Sequence, residues 1–360
     1  MSLSRRDFLK LSALGLGGLG LRPWRRLFTL PEFPPAERLG RVVWAGSPLK
    51  LSPSSEADTV RQLAEDELLP WLRRVVGFHG TEINQTWVET PEGYVYAPHL
   101  QPVRVEPNQP VEDFLQVSPV PGMWAQVSVP YVDLVLENRE PGAPWLEHRL
   151  RNFLPPRFYY NQVAWIDQAK FEDGQTWYRV TERYGGYSDV FWADAQAFRP
   201  ITPEDIAPLS PEVEDKRVVV DVNHQILSCF EGQTEVYFCR VSTGALFAAS
   251  GRRVDTWATP VGSFPIWRKL VSLHMDGNTT GGGWDVPGIG WTTLFVGAGI
   301  AVHGTFWHNN FGVPMSNGCV NARPKDARFV FRWTQPAVPY DPGDITVSMP
   351  GGTMVYVIEN

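Results

Sequence analysis

The sequence is poor in cysteine, with three in 360 residues, at positions 229, 239 and 319. Because an odd number of thiols cannot all pair within one chain, at least one of them is free or bonded to another molecule. No Cys-x-x-Cys or His-x-x-x-His pair accompanies them, and scattered histidines around a single cysteine are poor evidence for zinc. The sequence therefore predicts no metal site, and we expect no cofactor.

The chain also lacks an excess of positive charge, since 32 Lys and Arg residues stand against 39 Asp and Glu residues, for a formal net charge of -7. A basic surface is the usual electrostatic footprint of proteins that bind nucleic acid or anionic lipid. Neither is expected as a partner here. The apolar run near the N-terminus, Leu11–Leu21, is too short to span a bilayer comfortably.

The N-terminal segment has the order of an export signal. Ser4-Arg5-Arg6-Asp7-Phe8-Leu9-Lys10 precedes the mildly apolar run and resembles a twin-arginine signal, the alternative being a basic cytosolic N-terminus. We assign residues 1–34 to this signal and a linker, and expect export to the cell envelope, in the wall or the periplasm. No clear Ala-x-Ala cleavage site follows, so cleavage and retention as a membrane tether both stay open.

Glycine, proline and tryptophan are abundant, with 32, 32 and 15 residues. Combined with short runs of β-branched and aromatic residues, they predict a mainly β chain of short strands and tight turns. A chain of this length is also expected to fold as more than one domain.

Two stretches, residues 35–110 and 111–208, end in a similar order of Trp-containing strand, turn and aromatic strand. We predict two diverged copies of one small β-barrel, resembling bacterial SH3-like modules, which commonly bind wall peptide or glycan. The aromatic side chains are alternatively simple core residues. The matching strands are Thr86–Glu89 and Gly93–Tyr96 in the first stretch, and Thr176–Val180 and Val190–Ala193 in the second; Pro-rich segments at 107–121 and 200–211 are predicted linkers.

From residue 214 to 360 the strand pattern sharpens, with a hairpin predicted around Gly232. A two-residue turn there would place Cys229 opposite Val236 and Cys239 opposite Ile226. Side chains alternate faces along a strand, so this register sends the two thiols to opposite faces and argues against a disulfide. A one-residue bulge would instead bring both thiols to the same face.

Cys319 has the neighbours that a nucleophilic thiol needs. A thiol is weakly ionised at neutral pH and requires an imidazole to take its proton, and His303 ends an apolar strand that would carry its ring to the rim of a sheet. Gly318 lets the backbone approach closely, so that the Gly318 and Cys319 amides can point at a developing oxyanion. Taken singly, a cysteine after glycine is more often a buried apolar residue, and a histidine beside glycine a turn residue.

Several ordered motifs together resemble the L,D-transpeptidase (YkuD-like) catalytic domain, whose family carries a His-Gly-Thr triplet and, after a spacer, Ser-His-Gly-Cys. That resemblance covers about residues 216–358 and implies a β-sandwich or barrel after the two modules. The motifs are His303-Gly304-Thr305, Ser316-Asn317-Gly318-Cys319-Val320-Asn321, Val241-Ser242-Thr243-Gly244, Thr259-Pro260-Val261-Gly262-Ser263-Phe264 and the closing strand Gly351–Ile358.

The resemblance implies a cysteine-dependent acyltransferase of peptidoglycan, serving wall biogenesis and cell shape. Cys319 would attack the diamino acid carbonyl of a tetrapeptide stem and release D-alanine, and an amine of a second stem would resolve the thioester into a 3-3 crosslink. His303 would be the base, held by the carbonyl of Gly304, and Trp307 and Asn321 would line the substrate site with Ser316 and Asn317. Water as acceptor would make an L,D-carboxypeptidase, and a decayed site would leave a non-catalytic wall-binding protein.

Asn317 departs from the family pattern, which usually has histidine beside the Gly-Cys pair. An asparagine exchanges hydrogen bonds but does not titrate. His308 is an available substitute imidazole, although the loop sequence favours a solvated histidine at that position.

Overall fold

The computed structural model describes residues 29–114, 121–247, 251–277, 285–297 and 299–360. The predicted twin-arginine motif lies outside them. The end of the segment that we assigned to signal and linker packs on the protein: the Leu30 amide donates to Asp194 Oδ2 at 2.9 Å, and Phe33 meets Tyr131 edge-on. Within the part of the chain that is described, no helix has the length and apolar character needed to cross a membrane.

The first module, which we call module 1, begins at Leu39 and ends at Val103 in its outermost strands. Its small core contains Leu49, Trp71, Val88 and Leu100, which short strands and the turns between them bring together. The strands are β1 (Leu39–Val42), β2 (Ser47–Lys50), β3 (Thr59–Leu63), β4 (Leu68–Pro70), β5 (Arg73–Val76), β6 (Thr86–Thr90), β7 (Gly93–Tyr96) and β8 (Leu100–Val103).

Module 2 follows and holds the longest hairpin of the N-terminal half. Asp173 and Gly174 both adopt positive φ, at 56° and 81°, which is the Asp-Gly signature of a tight hairpin turn. Its elements are β9 (Met123–Val127), β10 (Tyr131–Asp133), β11 (Val135–Leu136), helix α1 (Pro144–Arg151), β12 (Arg157–Tyr159), β13 (Val163–Glu172), β14 (Gln175–Thr181), β15 (Phe191–Asp194) and β16 (Phe198–Pro200).

The two modules share a set of strand pairings. β1–β8, β5–β6, β6–β7 and β2–β7 in module 1 correspond to β9–β16, β13–β14, β14–β15 and β11–β15 in module 2. Each module also closes with one turn of 3₁₀ helix between its last two strands, at Ala97–His99 and Ala195–Ala197. The SH3-like identity of the modules stays a prediction.

The Pro-rich stretch 200–211 is not a free linker, and that prediction is wrong. Ile201, and Ile206 at the end of a short helix α2 (Pro203–Ile206), are buried in the same core as Trp124 and Trp165 of module 2 and the valines of the C-terminal sheets. The apolar side chains of this stretch lie next to the apolar core and are removed from water by packing against it. The stretch is therefore packed on the two domains that it connects.

The C-terminal domain is a sandwich of two five-stranded sheets around that core, ordered β19-β18-β17-β26-β20 and β24-β23-β22-β21-β25. The mainly β prediction is confirmed. The elements are β17 (Lys216–Asp221), β18 (Ile226–Glu231), β19 (Thr234–Arg240), β20 (Gly262–Pro265), β21 (Arg268–Asp276), β22 (Asp285–Val296), β23 (Ile300–Gly304), β24 (Val320–Ala322), helix α3 (Pro324–Trp333), β25 (Asp344–Thr346) and β26 (Met354–Ile358).

The predicted register of the β18–β19 hairpin is wrong by one residue. A bulge after Cys229 places that residue opposite Tyr237, and Cys239 opposite Leu227. Both thiols therefore lie on the core-facing side, where they are buried and free. The extra residue of the bulge shifts the alternation of one strand against the other, which brings the two thiols to one face.

Module 2 and the C-terminal domain also meet through a buried ionic group. His274 Nδ1 lies 2.8 Å from Glu182 Oε2 of module 2, and Nε2 contacts Asp285. Burial alone lowers the pKa of His274, but the hydrogen bonds and charges of the two carboxylates outweigh it and raise the pKa from 6.5 to about 9. The imidazole is thus a cation at neutral pH.

This cluster predicts a specific pH dependence of stability. Because the folded-state pKa of His274 is raised, its contribution is fully present below pH 6.5 and is lost as pH rises through about 9. Urea-unfolding midpoints should fall between neutral pH and pH 9 or above, and the triple variant E182Q/H274Q/D285N should lose that decline. A wild-type decline equal to that of the triple variant would contradict the assignment.

Candidate active site

The cysteine and histidine singled out in the sequence come together because two strands run parallel. β23 pairs with β24 in the register Val302↔Val320 and His303↔Asn321. Cys319 comes just before β24, so the same register places it opposite Ala301. Val302 and Val320 are buried in the main core. Alternation then puts the side chains of His303, Cys319 and Asn321 together on the opposite face.

These side chains line a pocket of about 380 Å³, which we call the cysteine pocket. Its predicted members Ser316, Asn317 and Trp307 are all present, and the ring of Trp307 lies 5.8 Å from that of His303. Sequence reasoning missed the other wall residues, which are Trp257, Val286 and Met315.

The imidazole of His303 has a fixed orientation. Its Nδ1 lies 3.2 Å from the carbonyl oxygen of Gly304, and a carbonyl only accepts, so Nδ1 carries the hydrogen and Nε2 is the free base. Burial lowers the pKa of His303 from 6.5 to about 4, and the Gly304 contact offsets only part of that fall.

The thiol of Cys319 is held in its neutral form. Its Sγ contacts the carbonyl oxygen of Gly299 at 3.8 Å. Burial raises the pKa of Cys319 from 9.0 to about 11, against a smaller opposite effect of the Ala301 backbone. With the pKa of His303 near 4, the resting pair is thiol and imidazole, not thiolate and imidazolium.

Three hydrogen bonds from two side chains hold the turn that presents Cys319. Ser316 Oγ donates to the Cys319 carbonyl and accepts from the Gly318 amide at 3.2 Å, and Thr259 Oγ1 donates to the Gly318 carbonyl at 2.8 Å. Gly318 has φ of 121°, a backbone conformation that side chains rarely adopt, which explains the glycine. The Gly318 amide is thus already engaged, and the expected pair of oxyanion donors is not assembled in this structure.

His308 is not the solvated loop residue that the loop sequence favoured. It is buried, with Nε2 at 2.9 Å from the side-chain amide of Asn321 and Nδ1 accepting from the Asn310 amide at 3.2 Å. Burial, followed by the neighbouring His303, lowers the pKa of His308 to about 3. It lines two other cavities rather than the cysteine pocket itself, and it positions Asn321, so it does not replace the family histidine missing at Asn317.

Two larger cavities adjoin the cysteine pocket, and both use N-terminal residues. One, of about 610 Å³, shares Val286 and Trp307 with it and is closed by Trp145 and Tyr159 of module 2 and by Phe306; we call it the aromatic cleft. The other, of about 520 Å³, shares residues that include Asn317 and is closed by module 1. No local sequence signal could have indicated either, because their walls come from distant segments.

Residues 215–357 match the L,D-transpeptidase catalytic domain, the YkuD family. The predicted L,D-transpeptidase-like C-terminal domain is therefore confirmed, and the match leaves both N-terminal modules outside it. Within the described ranges, no group of three or more His, Cys, Asp or Glu side chains is placed to hold a metal ion.

Similar solved structures include a mutant L,D-transpeptidase of Enterococcus faecium, at 20% identity and a TM-score of 0.31, covering 41% of this chain and 51% of that one. An L,D-transpeptidase of Xylanimonas cellulosilytica has 21% identity and a TM-score of 0.29, covering 46% and 74%. One from Mycobacterium smegmatis has 16% identity and a TM-score of 0.31, covering 54% and 98%. The chain thus spans about half the length of the first of these, and no curated protein matches it.

The neutral thiol–imidazole pair predicts the pH behaviour of Cys319. The thiolate absorbance removed by Cys319→Ser should be absent at neutral pH and appear only as pH approaches about 11. The rate of Cys319 acylation should stay flat around neutrality and fall as His303 becomes protonated, towards pH 4. His303→Ala should slow acylation by on the order of a hundredfold or more. A full thiolate signal at neutral pH would contradict the assignment.

Proposed function

We propose that the protein is a peptidoglycan L,D-transpeptidase that uses Cys319 as nucleophile and His303 as base. The observation that carries the proposal is the free Nε2 of His303 on the same sheet face as the Cys319 thiol, in a domain that matches the L,D-transpeptidase family. We also propose that the chain acts in the cell envelope after twin-arginine export, as the N-terminal sequence predicts.

The first half-reaction releases D-alanine. As the sulfur of Cys319 bonds to the diamino acid carbonyl carbon of a tetrapeptide stem, Nε2 of His303 takes the thiol proton. The tetrahedral intermediate collapses by breaking the C–N bond to D-alanine, whose amine receives that proton. The product is a thioester on Cys319, and the Gly304 carbonyl keeps the imidazolium oriented throughout.

The second half-reaction joins two stems. The amine of a second stem attacks the thioester, gives its proton to His303, and expels the cysteine sulfur, which recovers its proton. The aromatic cleft supports an amine acceptor over water, because it offers about 610 Å³ next to the cysteine pocket. Its walls combine aromatic side chains with the charged residues Arg149, Arg157 and Asp285. An L,D-carboxypeptidase would need room only for water.

Covalent capture of a β-lactam tests the nucleophile. A carbapenem opens on attack and leaves its whole mass on the protein, so intact-mass spectrometry should show one adduct on the wild type and none on Cys319→Ala. Cys239→Ala is the matched control and should keep the adduct, since that thiol is buried in the core. A folded wild type that forms no adduct with a carbapenem or a tetrapeptide muropeptide would defeat the proposal.

Product analysis tests the acceptor. Trp145→Ala should lower the ratio of crosslinked dimer to hydrolysed tripeptide by up to about tenfold, the scale of one lost aromatic contact. Carbapenem acylation should change much less. Trp192→Ala is the control, because Trp192 packs under Lys170 and does not line the aromatic cleft. Equal ratios in both variants would show that the cleft does not hold the acceptor.

A further inference from the structure

A separate cavity of about 590 Å³ lies where both modules meet the C-terminal domain, and we call it the basic pocket. Its charged lining residues are Arg38 and Arg74 of module 1 and Arg323 and Lys325 of the C-terminal domain, and no carboxylate lines it. Four cations converge here in a chain whose formal net charge is -7.

The charges of this pocket are poorly compensated. Arg323 lies 3.5 Å from Asp326, whereas Arg38, Arg74 and Lys325 have no carboxylate partner among the described residues. The guanidinium groups of Arg38 and Arg74 lie against the ring of Trp71, at 4.3 and 5.5 Å from its centre. That ring holds two like charges close together without neutralising either.

The closeness of like charges contributes to lowered pKa values of two of these arginines. Burial and then the charge of Arg104 lower the pKa of Arg38. The pKa of Arg74 is lowered by partial desolvation and then by the charges of Arg323 and Arg38, although Arg74, like Lys325, keeps an exposed side chain. A bound anion would relieve this repulsion, and nothing in the described protein does so.

An independent observation points to a ligand. Thr305 is one of the residues that line the basic pocket, it is only 3% exposed, and its Oγ1 has no hydrogen-bond partner among the described residues. A buried hydroxyl left unpaired is costly, and an acceptor oxygen placed in the pocket would satisfy it. Arg323 is the N-cap residue of α3 and Lys325 lies in its first turn, whose positive end favours negative charge; the buried carboxylate of Asp326 in the same turn faces Arg323.

We propose that the basic pocket binds a ligand carrying two or more oxyanionic groups, carboxylate or phosphate. The cavity is too large for one oxyanion to contact all four cations, so a multivalent ligand fits it best. Thr305 lies two residues after His303, immediately past the end of β23, so the ligand would sit close to the cysteine pocket. The proposal goes beyond the peptidoglycan reaction and does not depend on it.

Calorimetric titration of the full chain at low ionic strength tests the site, with pyrophosphate and citrate as probes and glycerol as the neutral control. Arg74→Gln and Lys325→Gln should each weaken anion binding by on the order of tenfold. Arg73→Gln is the matched control: it precedes Arg74 in β5, pairs with Glu89 and points to the other face, so binding should be unchanged. Thr305→Val should weaken binding without changing the charge.

Each outcome separates the alternatives. Binding of both probes supports a general oxyanion site; pyrophosphate alone indicates a phosphate-bearing wall polymer, and citrate alone a carboxylate-rich stem peptide. No binding to the wild type, or equal weakening by Arg73→Gln and Arg74→Gln, would overturn the proposal. Cys319→Ala should bind the probes like the wild type. The anion-binding result can therefore be interpreted even if the proposed cysteine chemistry fails.

Discussion

The parallel pairing of β23 with β24 is the contact on which the site depends. It fixes Cys319 beside the strand of His303, and the burial of Val302 and Val320 on the core side forces the two reactive side chains to the other face. A slip of one residue would send the thiol into the core and a valine into the pocket. The hydrogen bonds of Ser316 and Thr259 to the Cys319 turn then hold the register at its open end.

Burial sets the chemistry of that pair. In water, the pKa values of a thiol and an imidazole differ modestly, but desolvation moves them apart, to about 11 for Cys319 and about 4 for His303. In the proposed reaction, the proton would therefore move during attack rather than before it. A neutral thiol also resists oxidation, because the thiolate is the form that oxidants attack.

The N-terminal modules form walls of the cavities next to the cysteine pocket. Arg41 of module 1 donates to the Phe306 carbonyl at 3.4 Å, and the side chain of Asn84 donates to that of Asn310 at 3.0 Å. Trp124 of module 2 donates its indole N–H to the Tyr340 carbonyl at 2.9 Å from within the shared core. The loop that carries Trp307 and His308 is therefore held between the modules and the C-terminal domain. This packing also supplies walls of both cavities beside the cysteine pocket.

The sequence alone determined the mainly β class and the presence of an L,D-transpeptidase-like C-terminal domain, and it predicted that Cys319 and His303 belong to one site; the structure places both side chains in one pocket. Those features are local, because the pattern of a strand and the motif around Cys319 each depend on residues that are close together in the sequence. Only the tertiary structure decided that His308 is buried, that the hairpin of Cys229 carries a bulge, that the Gly318 amide is occupied, and that residues 200–211 pack into the core. Each of these depends on which distant side chains supply burial or a hydrogen-bond partner. The aromatic cleft and the basic pocket are assembled from separate parts of the chain, so their charge and shape exist only once the modules have docked.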